Sequence, residues 1–167
     1  MNQWLNNNHL PKQLESKMKI RFHDCDPFNH LNNSRYIDYM MTARGDQLIE
    51  HYNFDIYSIA REEQLGWVSA FTQVAYLQPA TVMEEVVIQT ALLNFSPKTL
   101  LLEALMWSHD KRTLKAGMWV RLVHFNLTTN KSQEHTAALI DFFNRVVNPL
   151  PVECTLEQRI NTLQNKT

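Results

Sequence analysis

Glycine is nearly absent: Gly45, Gly66 and Gly117 are the only three in 167 residues. They cannot form a glycine-rich loop that wraps backbone N–H groups around phosphates, which excludes nucleotide folds built on such loops. Cysteine is as scarce, and Cys25 and Cys154 stand too far apart in the chain to read as a disulfide framework. Neither sign of charge prevails. Sixteen Lys+Arg against 17 Asp+Glu leave a net charge of -1, without the diffuse positive surface of non-specific nucleic-acid binding. No apolar run approaches the roughly 18 residues of a membrane-spanning helix. The chain opens on Asn2, Asn6, Asn7 and Asn8 where a secretory signal would carry an apolar core of about 7–15 residues. A cytoplasmic protein with both thiols free is expected.

What is present is a core. Hydrophobic residues make up 44% and charged residues 20% of the chain, and the length suits one domain. A polar leader is expected over residues 1–16, with Trp4 and Leu5 as surface anchors, then a domain over 17–147 and a polar, mobile tail over 148–167. Apolar-polar alternation over 18–22 predicts a first strand. Between 33 and 52 the apolar positions Tyr36, Ile37, Met40, Met41, Ala43 and Leu48 recur at three- and four-residue steps, which predicts one long helix capped by an Asn pair. Gly45 within it costs about 1 kcal/mol relative to Ala and would permit close approach to a sheet.

After Gly66 the period changes, and segments 67–77, 85–93, 100–107 and 115–127 read as four strands. Leu100, Leu102, Ala104 and Met106 share one face, as do Ala116, Met118, Val120 and Leu122, and both faces should cover the helix. A turn centred on Arg112 would set Glu103 opposite Arg121 and Trp107 opposite Gly117. A last amphipathic helix is predicted over 136–147 from Leu139, Phe142, Phe143 and Val146, before Pro149 and Pro151 end it.

The stretch Asp24-Cys25-Asp26-Pro27-Phe28-Asn29-His30-Leu31-Asn32-Asn33 crowds two carboxylates, a thiol, an imidazole and three amides just ahead of the long helix. A helix start presents unpaired N–H groups and a partial positive charge, suited to an anion or a developing oxyanion. A carboxylate beside it can attack or deprotonate. The structural alternative is an Asp-Pro turn at Asp26, a cap at Asn32 or Asn33, and a surface His30. Metal binding by His23, Asp24, Asp26 and His30 is a further alternative, weakened because His23 and Asp24 on a strand point to opposite faces. Cys25 as nucleophile is disfavoured because carboxylates on either side oppose its thiolate.

The run Arg21-Phe22-His23-Asp24-Cys25-Asp26-Pro27, continued by Asn29-His30-Leu31-Asn32-Asn33 and Tyr36, resembles the opening motif of hotdog-fold acyl-CoA thioesterases of the 4-hydroxybenzoyl-CoA thioesterase type. Tyr76-Leu77-Gln78-Pro79-Ala80 and the segment 85–90 look like that family's second and third strands with their proline-containing connection, and the resemblance spans about residues 17–145. It implies an α+β hotdog fold, an antiparallel sheet wrapped around a long central helix, in which two subunits pair to build active sites at their interface. A homodimer or homotetramer follows, with an acyl-CoA substrate and no cofactor or metal. Asp26 matches the catalytic aspartate. Asn33 falls where a backbone amide at the helix start would polarise the thioester carbonyl. His30 and Asn33 resemble the His and Asn of fatty-acyl relatives.

Asn29 replaces the glycine of Gly-His versions, and Asn tolerates left-handed backbone better than most residues. Tyr36 and Lys98 are the candidate substrate contacts, Lys98 for the phosphates of CoA alongside Lys111 and Arg112. The resemblance separates neither a nucleophilic from a general-base Asp26 nor CoA from acyl-carrier-protein substrates. A non-catalytic module that binds acyl-CoA or an acyl-carrier protein stands as the alternative function.

Overall fold

The computed structural model describes residues 10–165. Strand β1 (Gln13–Lys19) leads through a 3-10 turn (Phe22–Asp24) into helix α1 (Arg35–Tyr52), followed by the short helix α2 (Ile56–Glu62). Strands β2 (Leu65–Tyr76), β3 (Glu85–Phe95), β4 (Thr99–Ser108), β5 (Leu114–Asn126) and β6 (Lys131–Ser132) come next, then helices α3 (Ala137–Val146) and α4 (Leu156–Gln164). The sheet is antiparallel in the order β1-β3-β4-β5-β2, with β6 paired to β5.

The two predicted strand faces do cover the helix. Leu100, Leu102, Ala104 and Met106 of β4 and Ala116, Met118, Val120 and Leu122 of β5 are buried in one cluster with Tyr36, Tyr39, Met40, Ala43, Leu48 and Tyr52 of α1. This is the antiparallel sheet wrapped around a long helix that the resemblance to the hotdog family implied. Each aliphatic or aromatic side chain so buried contributes about 1.5–3 kcal/mol. No helix among the described residues is long and apolar enough to cross a membrane.

Several expectations are corrected. The first strand runs over Gln13–Lys19 rather than 18–22, because Leu14 and Ser16 face α1, where Ser16 accepts a hydrogen bond from Gln47. Strand therefore reaches into the presumed leader; Trp4 and Leu5 lie outside the described residues. Gly45 makes room not for the sheet but for α2, since a Cβ there would meet the Tyr57 hydroxyl at 3.1 Å. The β4–β5 register is displaced by two residues. Glu103 pairs with Trp119, Leu105 with Gly117, and a bulge sets Trp107 opposite Leu114. The displacement preserves which faces are inward, as an even slip must. It arises at a turn in which Lys111 takes a left-handed φ of 59°.

Among the described residues the tail is also ordered. Thr155 and Gln158 form a reciprocal capping box at the start of α4. Leu156 and Ile160 then bury against Val87, Leu105, Trp107 and Leu114 on the outer face of the sheet. Gly117 admits Ile160, whose Cδ1 would lie 2.5 Å from a Cβ at that position. Glu103, expected to face Arg121, instead accepts two hydrogen bonds of 3.0 Å from Arg159 of α4 and one of 3.1 Å from Trp119 Nε1. Removing one member of a buried charge pair strands the other. Arg159→Met is accordingly expected to lose about 2–3 kcal/mol in urea denaturation. The double variant with Glu103→Met should lose less than the single one; equal or greater loss would mean the pair does not fasten α4.

Candidate active site

The segment ahead of α1 folds into a tight turn for local reasons. Pro27 fixes its own φ and biases Asp26 toward extended backbone. The Asp26 carboxylate then accepts hydrogen bonds from the backbone N–H of Phe28 (2.9 Å) and of His30 (3.0 Å). The main chain closes the same turn, Asp26 N donating to His30 O at 2.8 Å and Asn29 N to Asp26 O at 3.0 Å. Asn29 sits at φ 62°, the left-handed region anticipated for the residue standing in place of glycine.

Beyond the turn, Leu31 N donates to Ala80 O at 2.8 Å, Ala80 N donates to the Tyr36 hydroxyl at 3.0 Å, and Tyr76 donates to Asn33 O at 2.9 Å. These bonds stitch the helix start to the connection between β2 and β3. The Tyr36 and Tyr76 rings meet edge to face at 5.2 Å. Asn32 accepts from Ser34 N and Ser34 Oγ; Ser34, rather than either Asn, occupies the N-cap position.

Asp26, His30, Asn33 and Tyr36 line one open cavity of about 220 Å³, together with Leu31 and residues 76–79. Asp26 and His30 are half-buried, Tyr36 is buried and Asn33 is exposed. The Asn33 N–H has no hydrogen-bond partner among the described residues. Burial first, with smaller contributions from nearby groups, pushes the Tyr36 hydroxyl above its ordinary range. It stays a hydrogen-bonding group rather than an anion.

The sequence reading missed the opposite wall. Gln78 and Pro79 are held from behind by Lys115, whose Nζ donates to Pro79 O at 2.9 Å and pairs with Glu84 at 2.7 Å. Lys115 reads as an outward strand position next to inward Ala116, so the sequence pattern offered no signal for this role.

Other candidates lie elsewhere. Asp24 turns away to accept the Tyr39 hydroxyl at 2.8 Å, with Arg35 at 3.5 Å and His23 at 3.4 Å. Among the described residues no three His, Cys, Asp or Glu side chains converge on a point. The Cys25 thiol is pushed up by burial and then by Asp24 and Asp26, and it donates to Arg21 O. Lys98 lies in the β3–β4 turn, on the order of 30 Å from the Asp26 turn along the 11-residue β3. One chain does not bring it to the cavity.

The backbone at Asn29 gives a direct check on this geometry. Asn29→Gly should fold with an unchanged melting temperature, whereas Asn29→Val should lose about 1–2 kcal/mol. Equal stability of the two variants in thermal denaturation would contradict the left-handed turn.

Comparisons with known proteins agree with the architecture. A family model described as the Thioesterase-like superfamily matches residues 20–152. The long-chain acyl-CoA thioesterase FadM of Escherichia coli (strain K12) is 23% identical over 119 residues, covering 71% of this chain and 88% of that protein. Among solved structures, the YbaW probable thioesterase from Escherichia coli aligns with a TM-score of 0.68 at 21% identity, covering 81% of this chain and 99% of the other. A Staphylococcus aureus protein solved in complex with CoA aligns with a TM-score of 0.75 at 14% identity, covering 92% and 96%. With the fold, the cavity and a family match over most of its length in agreement, this chain belongs to the Thioesterase-like superfamily.

Proposed function

We propose that the protein hydrolyses an acyl-CoA thioester to the free acid and CoA, with Asp26 as nucleophile or general base. The observation that carries this reading is the Asp26 carboxylate, fixed by two backbone N–H groups, on a cavity also lined by Asn33, whose N–H is unpartnered among the described residues and lies one residue ahead of the N-cap of an 18-residue helix. The thioester carbonyl would place its oxygen on Asn33 N–H, where preorganised donors stabilise developing negative charge; one such donor is typically worth about 10²–10³ in rate. Either the Asp26 carboxylate would attack the carbonyl carbon, expel the CoA thiolate and leave a mixed anhydride that water then hydrolyses to the acid, or it would take a proton from a water that attacks the carbonyl carbon directly, the tetrahedral intermediate then expelling the thiolate. In both routes the thiolate takes up a proton as CoA and Asp26 is regenerated. His30, whose backbone holds Asp26 and whose ring makes no hydrogen bond among the described residues, would orient the water. Tyr36 would contact substrate. The FadM relative and the neighbour solved with CoA support an acyl-CoA substrate.

The site also lies at one end of an unpaired edge. Strand β2 is one of the two edge strands of the sheet, and Val68, Phe71 and Tyr76 on it are exposed, with Phe71 at 53%. Exposed apolar edge strands invite pairing, and a second copy of this chain along β2 would enclose the cavity beside Tyr76. Lys98 has no part in the site of a single chain.

Purified protein given a panel of acyl-CoAs should release free thiol, and Asp26→Asn should cut kcat/KM by about 10²–10⁴ while retaining binding. Wild-type binding without turnover would replace the enzyme by a sensor of acyl-CoA. On sedimentation, wild type should run as a dimer or tetramer and Phe71→Glu as a monomer with reduced turnover; a monomeric wild type would exclude the paired edge.

A further inference from the structure

The second half of α1 borders a different cavity, of about 320 Å³, which shares no lining residue with the Asp26 site. Its walls include Met41 and Leu48 of α1, Leu100 and Leu102 of β4, and Phe142 and Phe143 of α3. Helix α2 closes one side with Ile56, Tyr57 and Ala60. The volume is that of a small-molecule site. A space lined this way stays dry, and an aliphatic chain fills it favourably.

One wall residue does not fit an aliphatic store. Arg44 is 7% exposed, and its Nε has no hydrogen-bond partner. Its Nη1 donates to Thr90 Oγ1 at 3.1 Å, and Thr90 in turn donates to Gln47. Tyr52 is its other polar neighbour. All three are neutral. Among the described residues no carboxylate lies within ion-pair distance of Arg44, although every buried charge carries a desolvation cost that an anion would offset. Burial lowers the guanidinium to about 10, which leaves it a cation at neutral pH.

We infer that this cavity binds a free aliphatic carboxylate, with its chain among Leu48, Leu100, Leu102 and Phe142 and its carboxylate paired to Arg44. A thioester carbonyl is neutral and would leave the cation uncompensated; a carboxylate matches its charge and its fork of donors. The class of ligand is the class of acid that thioester hydrolysis releases. Binding at this place does not depend on Asp26, so it stands or falls apart from the hydrolytic reading. Tyr57, packed over Gly45, covers the chamber from the α2 side.

Titration calorimetry with octanoate and with octan-1-ol tests this. Wild type should bind octanoate about tenfold or more tighter than octan-1-ol, the margin of a buried charge-assisted pair. Arg44→Met should lose that margin while keeping its affinity for octan-1-ol, and Asp26→Asn should bind octanoate as wild type does. Equal wild-type affinity for acid and alcohol would overturn the inference without recourse to any variant. So would a preference for octanoate that survives in Arg44→Met, or an affinity for octanoate that Asp26→Asn raises, since removing that carboxylate relieves repulsion of a bound anion only if the acid lies in the Asp26 cavity.

Discussion

Two backbone N–H groups hold the carboxylate of Asp26, and everything proposed for the chemistry depends on that clamp. A free aspartate in a loop samples many rotamers, and catalysis by a carboxylate needs one of them. Here the proline after Asp26 and the left-handed Asn29 shape a turn whose own amides select the rotamer. The turn itself is anchored where Leu31 and Tyr36 hydrogen-bond to either side of Ala80, so its position relative to α1 is set by the sheet. Lys115 and Glu84 secure the connection on which Ala80 sits. The polar cavity is thus supported by a half-buried ion pair and main-chain bonds rather than by loop side chains alone.

The central helix serves two different environments along its length. Its start, at Asn33 and Tyr36, meets a polar and open cavity; about 12 Å further along its axis, Arg44 meets an apolar and covered one. Glycine at 45 allows α2 to lie against the same helix, and that contact makes the second chamber a chamber. The fold thus places a polar cavity and an apolar one, with no lining residue in common, along a single helix.

Long periodic elements were legible in the sequence, and short or irregular ones were not. Helix α1 and strands β2 to β5 announce themselves because each presents enough inward positions for the period to show. The Asp26 turn was readable from its composition, and the resemblance to Gly-His motifs pointed to the unusual backbone at Asn29. Helix α2 was hidden because seven residues hold barely two turns, although Asp55 caps Tyr57 and Ser58 in the expected way. Helix α4 was hidden by its polarity. Only Leu156 and Ile160 are buried, yet the Thr155 and Gln158 pair is a start signal that composition outweighed. The β4–β5 register could not be read, since the bulge at Met106/Trp107 comes from turn geometry that carries little residue signature. That slip hid the partnership of Glu103 with Arg159, which joins segments 56 residues apart.

The most direct measurement is a crystal structure with an acyl-CoA analogue in which a methylene replaces the thioester sulfur, leaving a ketone that cannot be hydrolysed. If the turn and the helix start act together, the ketone oxygen will lie within hydrogen-bond distance of Asn33 N–H, with the Asp26 carboxylate facing the carbonyl carbon. An analogue bound with its carbonyl remote from both residues would contradict the assignment of this cavity as the place where the thioester is cleaved.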